Sequence, residues 1–224
     1  MTIANWPTLE RPREKLMSSG EGTLSDAELL AVFLQTGLKG KTALDLAREL
    51  LLKFGGLAGI TSASVENLCS LPGIGTAKAA RFIAMREISH RQLLEGIQSK
   101  DILTSSAATR DFLRARFRHC EREVFSCLFL NNQHHLVKLE ELFHGTLDGA
   151  AVYPREVVKR CLYHNAAAVI FAHNHPSGIA EPSQADIAIT KKLKLALQAI
   201  EVRVLDHLVI GDTTVVSFAE RNLL

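Results

Sequence analysis

The segment AAAVIFAHNHPSG, residues 166–178, joins a short apolar run to two histidines and a Pro-Ser-Gly break. The uninterrupted run predicts a buried β-strand, and alternation along that strand points His173 and His175 to the same face. A long helical pattern then begins at Ser183 and places Asp186 in its first turn. Two nitrogen ligands and one oxygen ligand therefore converge at the carboxyl end of the strand, where open α/β sheets build their sites.

The side chains of His173, His175 and Asp186 have the composition of a catalytic zinc site. Zinc accepts imidazole nitrogen and carboxylate oxygen, and three protein ligands leave a fourth position for water. Ser183 and Asp186 also have the spacing of a helix capping box, which alone does not decide between capping and ligation. The two histidines favour ligation, and Ser183 could cap the helix while its hydroxyl points towards a substrate oxygen. The pattern indicates a zinc hydrolase.

A hydrolytic zinc site also needs a carboxylate that takes a proton from water and passes it to the leaving group. We select Glu123, because it opens the apolar strand 124–130, which can lie beside the strand of the histidines. Spacing alone favours a solvated residue at a strand end. The other glutamates that compete on equal terms are Glu121, Glu140, Glu141 and Glu156.

Length and composition describe an ordinary folded protein. The chain has 224 residues, of which 47% are hydrophobic and 22% charged, with a net charge of +2. It can bury one large core or two small ones. The four cysteines have no C-x-x-C spacing, which favours free thiols in a reducing compartment. The first residues lack the apolar core of a signal peptide, and no run is long enough to span a bilayer, so we expect a soluble cytoplasmic protein without a membrane partner.

The pattern of elements changes between residues 98 and 106, where we place a domain boundary. Residues 1–100 are predicted to form a small helical domain, and residues 102–224 interleave strands with helices, which is typical of a three-layer α/β domain. Helices are predicted over residues 24–34, 42–54, 65–70, 76–95, 107–119, 153–164 and 183–200. Strands are predicted over residues 124–130, 136–143, 166–172, 202–210 and 213–218.

The helical domain contains a second motif, LPGIGTAKAAR at residues 71–81, which resembles the helix-hairpin-helix element of DNA-repair proteins. Gly73 and Gly75 permit a tight turn, and amides at the next helix start can hold a phosphate. Lys78 and Arg81 would add positive charge on the same face. Such an element binds DNA without reading its sequence. A compact helical turn is the alternative, because residues 1–100 hold 12 Lys and Arg against 10 Asp and Glu.

The site motif of the second domain matches a known pattern in every fixed position. His173 and His175, followed by Pro176, Ser183 and Asp186, resemble the JAMM motif of the MPN-type metalloproteases. This resemblance implies an α/β fold related to that of the cytidine deaminases. The deaminase reaction itself is not expected, because the chain lacks the P-C-x-x-C pair of those enzymes.

The resemblance also implies roles for two further residues. In the MPN family a glutamate at the head of the first core strand is the acid/base, and Glu123 is similarly placed. The serine, here Ser183, is implied to support the oxyanion of the tetrahedral intermediate. More specifically, HNHPSG with YPRE at residues 153–156 resembles the bacterial RadC family, also designated UPF0758, over essentially the whole chain.

Two hypotheses of different classes follow. The first is a zinc metallopeptidase or isopeptidase acting on a peptide or protein, with residues 145–153 and 178–181 as specificity loops. The second is a DNA-associated factor whose metal site is structural or vestigial, and a helical domain that docks a protein is equally compatible. Cleavage of a phosphodiester is a third possibility, which one metal with one carboxylate fits less well. For His207, core packing is favoured over a functional role.

Overall fold

The computed structural model describes residues 3–98, 102, 106–118, 120–145 and 152–224. Contacts within the chain divide it into two compact units, Met1–Ile88 and Ser89–Leu224. The domain boundary predicted between residues 98 and 106 falls largely on residues outside the described ranges. No helix in the described part of the chain is both long and apolar enough to cross a membrane.

The first unit consists of α-helices around one apolar core. The helices are α1 (Pro12–Ser19), α2 (Asp26–Leu34), α3 (Ala43–Phe54), α4 (Leu57–Ser62), α5 (Val65–Cys69) and α6 (Thr76–Gln98), which extends beyond residue 88. Short 3-10 helices span Ile3–Asn5, Thr8–Glu10 and Glu21–Thr23. Ser25 and Thr42 begin α2 and α3 as capping boxes, and Gly55 ends α3 in the left-handed conformation. Leu46 and Leu50 on α3 are completely buried in the core.

The second unit interleaves helices with strands. α7 (Ser106–Phe117) is followed by β1 (Val124–Leu130), β2 (Leu136–His144), α8 (Pro154–Tyr163), β3 (Ala168–Asn174), α9 (Gln184–Gln198), β4 (Arg203–Ile210) and β5 (Val215–Ser217). Within the described residues, five strands form one sheet in the order β2-β1-β3-β4-β5. β3 and β4 are parallel, whereas the other neighbouring strands are antiparallel. The sheet is therefore mixed.

Helices cover both faces of this sheet. On one face, α7 contributes Phe112 and Leu113 to a buried apolar cluster. On the other face, α8 contributes Val157, and α9 contributes Leu193 and Leu197, to a second cluster. Every residue of β1 and β3 is buried, as expected for central strands that are covered on both sides. The predicted fold class, a small helical domain followed by a three-layer α/β domain, is confirmed.

The pairing of β1 with β3 determines which residues meet at one edge of the sheet. Phe125 lies opposite His173 in this antiparallel pair. The start of β1 therefore meets the end of β3, and Glu123, two residues before Phe125, comes to the level of His175. α9 begins nearby, since its first-turn residue Asp186 approaches both histidines. Three elements thus converge where the sequence motif predicted one site.

Candidate metal centre

His173, His175 and Asp186 bring three donor atoms close together. His173 Nε2 lies 3.0 Å from His175 Nε2 and 3.4 Å from Asp186 Oδ1, and His175 Nε2 lies 3.5 Å from Asp186 Oδ2. Zinc with tetrahedral ligands about 2.0–2.1 Å away requires donor atoms roughly 3.3 Å apart. The observed separations therefore fit a zinc ion, and the donor types, two imidazoles and one carboxylate, suit it.

Each histidine has a hydrogen-bond partner at the nitrogen that faces away from the cluster. His175 Nδ1 lies 2.8 Å from the carbonyl oxygen of Ile179, to which it can only donate. His175 Nε2 is thereby left with a lone pair for a metal. His173 Nδ1 lies 2.8 Å from Nε2 of His207. His207 is fully buried, and burial holds its pKa well below the ordinary value. It therefore packs in the core and also touches a predicted ligand.

Asp186 caps α9 and faces the histidines at the same time. Its backbone amide donates to Ser183 Oγ at 3.1 Å, and its Oδ2 accepts from the Ser183 amide and hydroxyl, both at 2.7 Å. The capping box and the predicted ligand geometry therefore coexist. Ser183 is an exposed residue, and its hydroxyl donates to Asp186. To donate to an oxyanion, it must turn away from that carboxylate.

The charges of the cluster shift the pKa values of two members. Burial favours the neutral form of Asp186, but the contacts of its carboxylate with His173 and His175 outweigh burial and lower the pKa of this carboxyl group. The hydrogen bond that only protonated His175 can donate to Asp186 raises the pKa of His175 against the effect of burial, and the negative charge of Glu123 adds to this increase. The charge of Glu123 therefore acts on a predicted ligand.

Glu123 is half-buried and lies directly before β1. Its carbonyl oxygen accepts a hydrogen bond from the Gly145 amide at 2.8 Å. Three of its competitors are engaged elsewhere: Glu140 pairs with Arg160, Glu141 with Arg116, and Glu156 with Lys159. Glu121 is exposed. The geometry thus favours Glu123 among the glutamates that the sequence left open.

Sequence reasoning missed the role of Asn174, which lies between the two histidines and is 4% exposed. Its Oδ1 accepts from the Val124 amide at 2.8 Å, and its Nδ2 donates to the carbonyl oxygens of Arg122 at 3.0 Å and Cys120 at 3.4 Å. This side chain therefore holds the backbone on both sides of Glu123. Because side chains alternate along β3, Asn174 points away from the ligands. The signal of its role in the sequence is therefore its polar side chain within an apolar strand.

The loop after His175 is anchored to the turn between β4 and β5. Gly178 has a positive φ of 80°, and a Cβ there would meet Asp212 Oδ2 at 2.5 Å. The Asp212 amide donates to the Gly178 carbonyl oxygen at 3.0 Å. Ile179 next to it is 67% exposed. Of the two predicted specificity loops, residues 178–181 are described, whereas 146–151 of the other lie outside the described residues.

The glycine-rich motif of the first unit makes mainly internal contacts. Gly73 has a φ of 93°, and a Cβ there would meet the Leu38 side chain at 2.5 Å. Lys78 Nζ donates to the carbonyl oxygens of Thr36 at 2.6 Å and Gly73 at 3.0 Å, and desolvation lowers the pKa of Lys78. Arg81 donates to a carbonyl oxygen at the end of α2. These contacts do not favour phosphate binding by Lys78. DNA contact by Gly73, Gly75, Lys78 and Arg81 stays a prediction.

Comparison with known proteins assigns both parts of the chain. The sequence profile of the RadC-like JAB domain matches residues 103–223, and that of the UPF0758 N-terminal region matches residues 3–80. A UPF0758 protein of Saccharophagus degradans is 58% identical over 221 residues, which is 99% of each chain. UPF0758 proteins of Thioalkalivibrio sulfidiphilus and Cellvibrio japonicus are 58% and 57% identical over 224 residues, 100% of each chain. The chain therefore belongs to the UPF0758 family and carries a RadC-like JAB domain.

Proposed function

We propose that this protein is a zinc-dependent hydrolase that cleaves a peptide or isopeptide bond, with His173, His175 and Asp186 as the metal ligands. The observation that carries this proposal is the spacing of their three donor atoms, between 3.0 and 3.5 Å. The position of Glu123 supports it, because a carboxylate at the same edge supplies the acid/base that such a site needs.

Each residue of the site has a task in this reaction. Bound zinc would supply a Lewis acid that lowers the pKa of water and polarises the substrate carbonyl group. Glu123 takes the proton of the attacking water and returns it to the leaving amine. Ser183 turns its hydroxyl from Asp186 to the oxygen that becomes negative in the tetrahedral intermediate.

An amide bond suits this site better than a phosphodiester does. Among the described residues, a single group of three His, Cys, Asp or Glu side chains has its donor atoms close enough to share a metal. Phosphodiester cleavage is commonly served by two metal ions about 3.5–4 Å apart, which clamp the attacking and leaving oxygens. A single ion with one carboxylate ligand instead has the composition of a zinc peptidase site.

Hydrolysis of defined probes tests this function. Zinc-loaded wild-type protein and His173→Ala are compared on internally quenched peptides and on peptides joined through a lysine ε-amide. We expect the wild type to cleave at least one set, and His173→Ala to lose this activity while its circular dichroism is unchanged. The control His135→Ala removes a histidine at the turn between β1 and β2 and should retain the activity. If the wild type cleaves neither set of peptides, or if His173→Ala keeps full activity, the proposal is contradicted.

Asn174→Ala should weaken hydrolysis without removing the metal, because Asn174 holds the backbone beside Glu123. Leaving the buried Val124 amide unpaired should cost about 1–3 kcal/mol of folding free energy. A displacement of Glu123 by about 1 Å should lower kcat about 100-fold. Urea unfolding, zinc content and kcat are measured together.

The matched control for this prediction is Asn131→Ala. The Asn131 side chain also accepts hydrogen bonds from two backbone amides, those of Gln133 and His135, but at the far end of β1. The Asn131→Ala variant should have a lower free energy of unfolding and an unchanged kcat. An equal loss of kcat in both variants would mean that Asn174 affects only the stability of the fold.

A further inference from the structure

Three hydrogen bonds, two of them fully buried, connect two of the proposed zinc ligands. Thr190 Oγ1 lies 2.5 Å from the carbonyl oxygen of Asp186, one turn earlier in α9. The same oxygen lies 2.6 Å from His207 Nδ1, and His207 Nε2 lies 2.8 Å from His173 Nδ1. Thr190 and His207 are fully buried, and His173 is 1% exposed. These three hydrogen bonds form a row that runs from the backbone of Asp186 to the ring of His173 without passing through solvent.

The Asp186 carbonyl oxygen determines which partner donates in each hydrogen bond of this row. A carbonyl oxygen can only accept, so the Thr190 hydroxyl donates its one hydrogen to Asp186. The Thr190 oxygen must then accept from His207, which places the ring proton of His207 on Nδ1. A neutral His207 has a bare Nε2, which accepts from His173 Nδ1. His173 is left with its lone pair on Nε2, the atom that faces His175 and Asp186.

The surroundings of His207 support its neutral form. Its ring centroid lies 5.5 Å from that of Phe125, 5.9 Å from that of Phe171 and 4.7 Å from that of Phe218. The His207 ring is fully buried, and burial disfavours a positive charge on it. Its two ring nitrogens form hydrogen bonds with Thr190 and His173.

We propose that Thr190 and His207 are positioning residues that fix the tautomer of His173, with the Asp186 carbonyl oxygen setting the direction. This inference deepens the proposed function and rests on it, because the oriented ring is a ligand of the proposed zinc site. Metal-ligating histidines usually donate their second N–H to a carboxylate, a carbonyl or water. Here the acceptor for His173 is Nε2 of the buried His207, whose Nδ1–H in turn donates to the Thr190 hydroxyl.

A purely structural role for Thr190 is the competing explanation. Threonine in a helix often donates to the carbonyl oxygen four residues earlier, with no further consequence. The two explanations differ in Thr190→Val, which keeps the shape and removes the hydroxyl. If the row positions His173, His207 loses the acceptor that holds its proton on Nδ1, and its ring can present an N–H to His173 instead. Zinc affinity should then fall about 10- to 100-fold.

Zinc dissociation constants, measured by competition with a chromogenic chelator, test this inference. Thr190→Val should bind zinc about 10- to 100-fold more weakly than the wild type, whereas Thr190→Ser, which keeps the hydroxyl, should bind it nearly as well. Ser126→Ala is the matched control, because Ser126 Oγ is buried without a hydrogen-bond partner among the described residues. It should leave the affinity unchanged.

Long-range ¹H–¹⁵N spectra of histidine-labelled protein give a readout that stability alone does not move. His207 should carry its proton on Nδ1 in the wild type, with or without zinc, and lose this preference in Thr190→Val. Wild-type zinc affinity in a folded Thr190→Val, or an Nε2–H tautomer of His207 in the wild type, overturns the positioning role alone. Absence of zinc uptake by the wild type would instead overturn the proposed metal centre and this role with it.

Discussion

Glu123→Gln is expected to slow hydrolysis by about 100- to 10,000-fold, the usual contribution of a general acid/base. Glutamine keeps the size of the side chain and loses the ability to take a proton from water. The residue lies outside the set of three donor atoms, so zinc should stay bound. Steady-state kinetics on the probe peptide that the wild type cleaves, together with zinc content, measure both effects.

The matched control for Glu123 is Glu121→Gln, two residues earlier in the same segment. Glu121 is exposed, and this change removes the same charge from the same end of β1. We expect it to keep kcat within about threefold, since a solvent-screened charge contributes little. If Glu121→Gln lost as much activity as Glu123→Gln, the effect would be one of local charge, and Glu123 would not be the acid/base.

Asp186→Asn should separate the two functions that Asp186 combines. The amide oxygen of asparagine can still accept from the Ser183 amide, so the cap of α9 should persist. The negative charge that faces His173 and His175 is lost, and a neutral amide is a poor zinc ligand. We expect zinc affinity to fall by at least about 100-fold, more than for a change in a residue that only supports a ligand.

Asp186→Ala removes the ligand and the carboxylate half of the capping box, whereas the hydroxyl of the N-cap residue Ser183 can still accept from the backbone amide of residue 186. This variant should lose zinc to the same extent and, in addition, up to about 1 kcal/mol of stability of the metal-free protein relative to Asp186→Asn. Zinc competition and urea unfolding of the metal-free variants distinguish these effects. Near-wild-type zinc affinity in Asp186→Asn would mean that Asp186 is a helix cap and not a ligand.

The strands and most helices could be predicted because their signals are local. β1 was predicted to the residue, since residues 124–130 form an unbroken apolar run. The strand of the histidines was predicted over 166–172 and observed as Ala168–Asn174. Hydrophobicity ends before His173, but the backbone of β3 continues to pair with β1 and β4. The helices α1 and α4 were not predicted, because α1 buries only Pro12 and α4 has six residues.

The residues of the site also differ in whether a local sequence pattern reveals them. His173, His175 and Asp186 lie within fourteen residues of one another, so their spacing along one strand and one helix start suffices to group them. Glu123 joins them only through the pairing of β1 with β3. Thr190 belongs to no motif, and a histidine such as His207 on an apolar strand is ordinarily core. Their contacts depend on how α9 and β4 pack, which the residue pattern does not encode.

Metal content is the most direct test of the proposed zinc centre. Elemental analysis of the purified protein is carried out on the wild type and on a His173→Ala/Asp186→Ala double variant. We expect close to one zinc per chain in the wild type and none in the folded double variant. No zinc in the wild type, with none taken up on addition, or equal zinc in both proteins, would contradict the assignment of these residues as a metal site.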